Sequence, residues 1–247
     1  MARHGRCRTK PSQRLSPFFW RKGQVPSEFF YDGSVPPSRP RPTLVYLVRH
    51  GKTPSTGKIL PGRAPGLHLS DEGLAQATQA AERLHELTTK PKAIYASPLE
   101  RTKETAAPIA KALGLKTQLA KGLLECDFGD WTGKNLLALT KKKEWAQVQR
   151  TPSSFRFPNG ESFTEMTTRA YGTVMDLAAA NRGRSIVLVS HADPIKAILQ
   201  MALGAPLDLF QRLTVSPCSI SVLVISDGIP HVLTMNSTGS LKELARS

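Results

Sequence analysis

Three short apolar runs constrain this chain more than any other feature: TLVYLV at 43–48, KAIYAS at 92–97 and SIVLVS at 185–190. They are rich in β-branched residues and lack the apolar–polar alternation of a sheet with one wet face, so they read as strands buried on both sides. Each is followed by helix punctuation. Ser70 caps a helix that runs to about Thr88, with Asp71 and Glu72 at its positive end. Ser97, Pro98 and Glu100 read as the N-cap, first-turn proline and capping box of a second helix, which Gly114 stops. Another helix is expected near 134–148. A capping box from Ser162 to Glu165 opens a long one ending at Asn181-Arg182-Gly183, and a last one runs from near Pro194 to Gly204. Two further strands, SISVLVIS and IPHVLTM, flank an Asp227-Gly228 turn. Strands alternating with helices imply an α/β fold of three layers, a mostly parallel central sheet with helices on both faces.

Charge divides the chain differently. Residues 1–42 hold nine Lys/Arg against Glu28 and Asp32, so +7 of the total +15 sits there. This proline- and arginine-rich stretch has no periodic apolar spacing and is expected to be a disordered basic tail, followed by one domain over 43–240 and a short tail at 241–247. It lacks the apolar core of a secretory signal. An organellar transit peptide is one reading of it, and an untargeted tail or an upstream start is the other. Cys7, Cys126 and Cys218 form no CxxC pair, which favours a reducing compartment and a cytoplasmic location. No apolar run is long enough to cross a bilayer. The basic charge raises a nucleic-acid-binding reading. With 6% aromatic residues and no interleaved stacking platform, specific nucleic-acid binding is not expected. No HxxxH or Cys/His cluster suggests a metal, and no cofactor is expected.

The tripeptide Arg-His-Gly occurs twice. At Arg3-His4-Gly5 no strand presents it. At Arg49-His50-Gly51 it lies where the first strand ends, and ligands of open α/β sheets bind beyond the carboxyl ends of strands. His191 holds the same place after SIVLVS, and Arg101 lies in the first helical turn after KAIYAS. Two imidazoles and two guanidiniums thus converge on one sheet edge, a set suited to a phosphoryl group. A neutral imidazole is a competent nucleophile, and neighbouring cations keep it neutral. Arginine matches phosphate oxygens in bidentate fashion. Transfer to His50 requires stabilised charge on the phosphoryl oxygens, which Arg49, Arg101 and a protonated His191 can supply. Glu125, beside the loop CDFGDWTGK, is the best-placed acid for the leaving group, with Asp127 and Asp130 as alternatives. Arg63 and Lys58 are candidates for holding an acidic substrate.

Taken together, LVRHGKT, ASPLERTKETA, LLECDFGDWTG, FPNGESF and VLVSHADPIKAIL resemble the histidine phosphatase superfamily, the phosphoglycerate mutase-like family, over about residues 43–235. The resemblance implies a phosphohistidine intermediate without a metal. His50 becomes the nucleophile, Arg49, Arg101 and His191 the phosphate pocket, and Glu125 the proton donor. Thr53, Gly62 and Ala192 fall among the substrate contacts. Thr56 stands where many members have asparagine, and Ala192-Asp193 replaces a glycine-containing pair. ECDFGDWTGKN passes almost directly into a helix, leaving little chain for the lid that mutases use. A phosphomonoesterase acting on a small phosphorylated metabolite is therefore preferred to a mutase. A non-catalytic regulator is disfavoured by the complete residue set. The apolar C-terminal strands permit a homodimer.

Overall fold

Alternate residues of the central strands face opposite layers, and both faces are apolar. In a computed structural model, which describes residues 41–241, Tyr46 and Val48 of β1 (Thr43–Arg49) pack on one side, while Val45 and Leu47 pack on the other. Strand β4 (Ser185–Ser190) repeats the pattern, with Val187 and Val189 on the first side and Ile186 and Leu188 on the second. The period of two in an all-apolar run explains why these strands must be covered twice. Helices α1 (Asp71–His85) and α2 (Glu100–Leu113) cover one face, and α5 (Phe163–Ala180) and α6 (Ala192–Leu203) cover the other. The sheet also contains β2 (Ala93–Ala96), β3 (Thr117–Leu119), β5 (Ile220–Ser226) and β6 (Ile229–Ser237), in the order β3-β2-β4-β1-β5-β6. From β3 to β1 the pairing is parallel. β5 runs antiparallel to β1, and β6 antiparallel to β5. The three-layer, mostly parallel architecture is the expected one. Residues 1–40 and 242–247 lie outside the described part of the chain, and with them nearly all of the basic segment and the short C-terminal tail. No helix among the described residues is long and apolar enough to cross a membrane.

Local chemistry sets most element ends. The Ser70 hydroxyl caps α1, Ser162 and Glu165 form the full capping box of α5, and Gly114 and Gly204 adopt the left-handed conformation that stops α2 and α6. Asp227 and Gly228 both take positive φ, the geometry of a tight hairpin turn. Three expectations need correction, and one strand was not anticipated. Ser97 does not cap α2: the N-cap is Leu99, and the Ser97 hydroxyl is bonded to His191 instead. Strand β3 has only three residues of mixed polarity and gave no periodic signal. The helix expected over 134–148 is two, α3 (Leu136–Leu139) and α4 (Lys143–Arg150), interrupted at 140–142, with Thr140 closing the first and Lys142 as the N-cap of the second. Helix α6 begins at Ala192, two residues before Pro194, with His191 as its N-cap.

The exit of β1 is locked against α1. The Lys52 carbonyl accepts hydrogen bonds from the Ser70 backbone and side chain. A Cβ on Gly73 would lie 2.1 Å from that carbonyl oxygen, and one on Gly51 would lie 2.5 Å from the Gly73 carbonyl oxygen. A helical glycine in open space would gain up to about 1 kcal/mol on replacement by alanine. Here the clash decides the sign. Gly73→Ala is expected to destabilise the protein by about 1–3 kcal/mol in urea unfolding, and an unchanged or raised midpoint would contradict this packing.

Candidate active site

The parallel register of β1 and β4 sets Arg49 opposite Ser190, so the next residues, His50 and His191, leave the sheet side by side. The His50 N–H donates to the Ser190 carbonyl, and the two imidazoles lie 5.2 Å apart at an interplanar angle of 62°. Arg101, in the first turn of α2, is tied to this exit through Thr105. The Thr105 hydroxyl donates to the Arg101 carbonyl and accepts from the Gly51 N–H. Glu125 arrives on the loop before the Gly129–Trp131 turn. His50, Arg101, Glu125 and His191 are 5%, 0%, 7% and 0% exposed, so four ionisable groups share a nearly dry volume.

Hydrogen bonding fixes the protons. His50 Nδ1 lies 2.7 Å from the Gly51 carbonyl oxygen, which can only accept. Nδ1 therefore carries the proton, and Nε2 presents its lone pair. Burial, followed by the charges of Arg101 and Arg49, holds the His50 pKa well below the imidazole range, outweighing the Gly51 hydrogen bond. Burial and the same arginines, together with His50, do likewise to His191. The expected positive charge on His191 is thus absent from this site as it stands. A neutral His191 can still act as a donor. Its Nε2 lies 2.8 Å from the Ser97 hydroxyl, and its Nδ1 is buried with no partner among the described residues. With Ser97 donating to Nε2, Nδ1–H faces a ligand.

The guanidiniums are also incompletely used. Arg101 gives Nη2 to the Gly62 carbonyl at 2.8 Å, and Arg49 gives Nη1 to the Val215 carbonyl at 2.6 Å. Arg101 Nε and Nη1 and Arg49 Nε are buried with no hydrogen-bond partner among the described residues. Buried donors left unmatched are costly, and an oxyanion satisfies them. Glu125 accepts from the Cys126 N–H at 3.0 Å. Burial and then the charge of Asp193 push its pKa up to about 8, against the opposing pull of Arg101, that N–H and Arg49. Asp193, on the first turn of α6, is itself raised by burial despite Lys196 and Arg49. Its side chain keeps 22% of its surface exposed, so water tempers its influence. The arrangement can therefore hold an anion, offer an unprotonated nitrogen and supply a proton from a neutral carboxylic acid.

The remaining candidates divide. The buried Thr53 hydroxyl lies 3.0 Å from that of Thr56 and 3.2 Å from that of Ser55, so the loop consumes it locally. Gly62 serves through its carbonyl, and a side chain there would meet the Thr132 hydroxyl at 2.7 Å. Ala192 is the first residue of α6, where the helix dipole favours an anion. Arg63 is not free to meet a substrate as expected, because its donors go to Glu125, Asp127 and Glu161. Ser97 and Thr105 were missed. Ser97 follows a buried strand just as His50 and His191 do, and that position was the available signal. Among the described residues no group of three or more His, Cys, Asp or Glu is placed to hold a metal.

Residues 45–238 match the histidine phosphatase superfamily (branch 1). A bifunctional protein of Mycobacterium tuberculosis is 32% identical over 212 residues, covering 83% of this chain and 56% of that protein, so the chain spans little more than half of such a relative. A protein of Salmonella choleraesuis named "Probable phosphoglycerate mutase GpmB" is 33% identical over 180 residues, 72% of this chain and 82% of its own. Among solved structures, a mycobacterial glucosyl-3-phosphoglycerate phosphatase superposes with a TM-score of 0.72 at 25% identity, covering 80% of this chain and all of that one. A phosphoserine phosphatase of Entamoeba histolytica gives 0.73 at 26%, over 81% and 99%. The chain belongs to the histidine phosphatase superfamily, with a phosphoglycerate mutase-like fold.

Proposed function

We propose that the protein is a metal-independent phosphomonoesterase that hydrolyses a small phosphorylated metabolite through a phosphohistidine on His50. The observation that carries this reading is the set of unmatched buried donors, Arg101 Nε and Nη1 and Arg49 Nε, around an imidazole whose Nε2 lone pair is free. The phosphate enters with its oxygens on the two arginines and on His191 Nδ1–H. Nε2 of His50 attacks phosphorus in line, and the bond to the ester oxygen breaks. Glu125, neutral near physiological pH, passes its proton to the departing alkoxide. Its carboxylate then takes a proton from water, which attacks the phosphohistidine and restores His50. The growing charge on the phosphoryl oxygens meets donors already in place, so little reorganisation is needed.

Hydrolysis is preferred to mutase transfer because the chain beyond Glu125 is short. It passes through the Gly129–Trp131 turn to α3, and its Phe128 and Trp131 pack on Phe155 and Phe157. That leaves little chain to close over the phosphoenzyme and exclude water. Relatives named for phosphatases of phosphoserine and of a glucosyl phosphoglycerate support a small anionic ester as substrate.

A panel of phosphorylated metabolites assayed for phosphate release tests the assignment. Wild type should turn over at least one member by hydrolysis, and His50→Ala should lose at least about a thousandfold in kcat/KM, within the range ascribed to nucleophilic and acid–base groups acting together. Equal release by both proteins would remove His50 from the reaction, and phosphoryl transfer to an added acceptor instead of water would favour a mutase.

The pH profile tests the acid. A proton donor acts below its own pKa, so kcat/KM on an alkyl phosphate should fall as pH rises through about 8, where Glu125 ionises. Glu125→Gln should lose this limb and about 10²–10⁴-fold in rate. An alkaline limb unchanged in the variant would contradict the role given to Glu125.

A further inference from the structure

Two arginines far apart in sequence grip the backbone of Glu125. Arg63, on the loop between β1 and α1, donates from Nε to the Glu125 carbonyl at 2.8 Å. Arg169, on α5, donates from Nη2 to the same carbonyl at 3.4 Å and from Nη1 to the carbonyls of Gly122 and Leu124 at 2.7 and 3.0 Å. Glu161 joins them. It takes Arg169 in bidentate fashion, Nε and Nη2 each at 2.9 Å, and pairs with Arg63 Nη2 at 2.8 Å, a contact that is ionic rather than a directed hydrogen bond. Glu161 also accepts the Asp127 N–H, while its own N–H returns to the Asp127 carbonyl. Asp127 reaches back to Arg63 Nη1 at 3.5 Å.

The partners' exposure argues that this is more than a surface ion pair. The side chains of Arg63, Arg169 and Glu161 keep only 28%, 23% and 19% of their area exposed. Burial alone would raise the Glu161 pKa, yet the Arg169 hydrogen bonds, the Asp127 N–H and the two positive charges bring it below the ordinary value, so it stays ionised. The network also joins the halves of the site. Arg63 follows Gly62, whose carbonyl receives Arg101, so one peptide segment bears on the phosphate-binding guanidinium and on the acid-bearing loop.

We propose that Arg63, Glu161 and Arg169 are positioning residues that fix the Glu125 carboxyl opposite the leaving-group oxygen, with Glu161 as the shared anchor of both arginines. This rests on the reading of Glu125 as proton donor. It also reassigns Arg63 from substrate binding to the scaffold. Such a clamp acts chiefly on protonation of the leaving group rather than on nucleophilic attack by His50, because among the described residues none of the three side chains hydrogen-bonds to His50, Arg101 or His191.

Leaving-group dependence separates that role from a general structural one. p-Nitrophenyl phosphate releases a stable anion that needs no proton, whereas β-glycerophosphate releases an alkoxide that does. In the full-length protein, Glu161→Gln should lower kcat/KM for β-glycerophosphate by about 10–100-fold, the cost of misplacing a reacting group by an ångström or so, and that for p-nitrophenyl phosphate by less than about threefold. Arg63→Met, at a partly exposed position, should show the same selectivity and serves should Glu161→Gln fail to fold. Losses equal on the two esters, or absent on both, would overturn the proposal. Glu125→Gln measured alongside separates the two levels. If it too is unselective, the reading of Glu125 as proton donor fails first; if it is selective while Glu161→Gln is not, only the clamp fails.

Discussion

Arg101 carries a permanent charge into a place with no exposed surface, where the described protein gives it one hydrogen bond, to the Gly62 carbonyl. An ion stripped of water and left without a counter-charge costs a fold several kcal/mol. The neighbouring carboxyl, Glu125, does not neutralise it, being itself held largely protonated by burial and by Asp193. The site therefore favours an incoming dianion. Burial, aided by the same charge and by Arg49, keeps both imidazoles neutral, and for His50 this makes the difference between a lone pair and a blocked nitrogen. Anion capture and nucleophile preparation thus follow from one electrostatic arrangement.

The remainder of the fold holds that arrangement in register. Parallel pairing of β1 and β4 puts the histidines side by side without any contact between their side chains being required. Thr105 couples the first turn of α2 to the exit of β1, and the close approach of Lys52 to Gly73 seats that exit on α1. On the other side a separate aromatic core supports the acid-bearing loop. Phe128, Trp131, Phe155, Phe157 and Phe163 pack with ring centres about 5 to 6 Å apart. One part of the site is therefore built by sheet register and the other by side-chain packing and the Glu161 network.

This division explains what could be read from sequence. His50, His191 and Arg101 were legible because buried strands announce their ends, and chemistry found at those ends faces the crevice. The capping box of α5 and the Asp227-Gly228 turn were legible for the same reason: their signals are local. Ser97 misled because a serine before a proline and a glutamate is a good cap in isolation, and only the neighbouring strand reveals that His191 takes its hydroxyl. Arg63 misled similarly, since its partners Glu161 and Glu125 come from distant segments. The charge state of His191 was out of reach as well. It depends on the burial of the whole cluster, which no stretch of sequence encodes.

The most direct test of the account is to follow phosphorus itself. Wild-type protein is mixed with a radiolabelled phosphomonoester that it hydrolyses, quenched in alkali within the first turnover, digested and mapped. The account predicts an acid-labile, alkali-stable label on the peptide bearing His50, formed and lost at rates compatible with steady-state turnover. Hydrolysis at full rate with no label on residue 50, or with the label on another side chain, would contradict it.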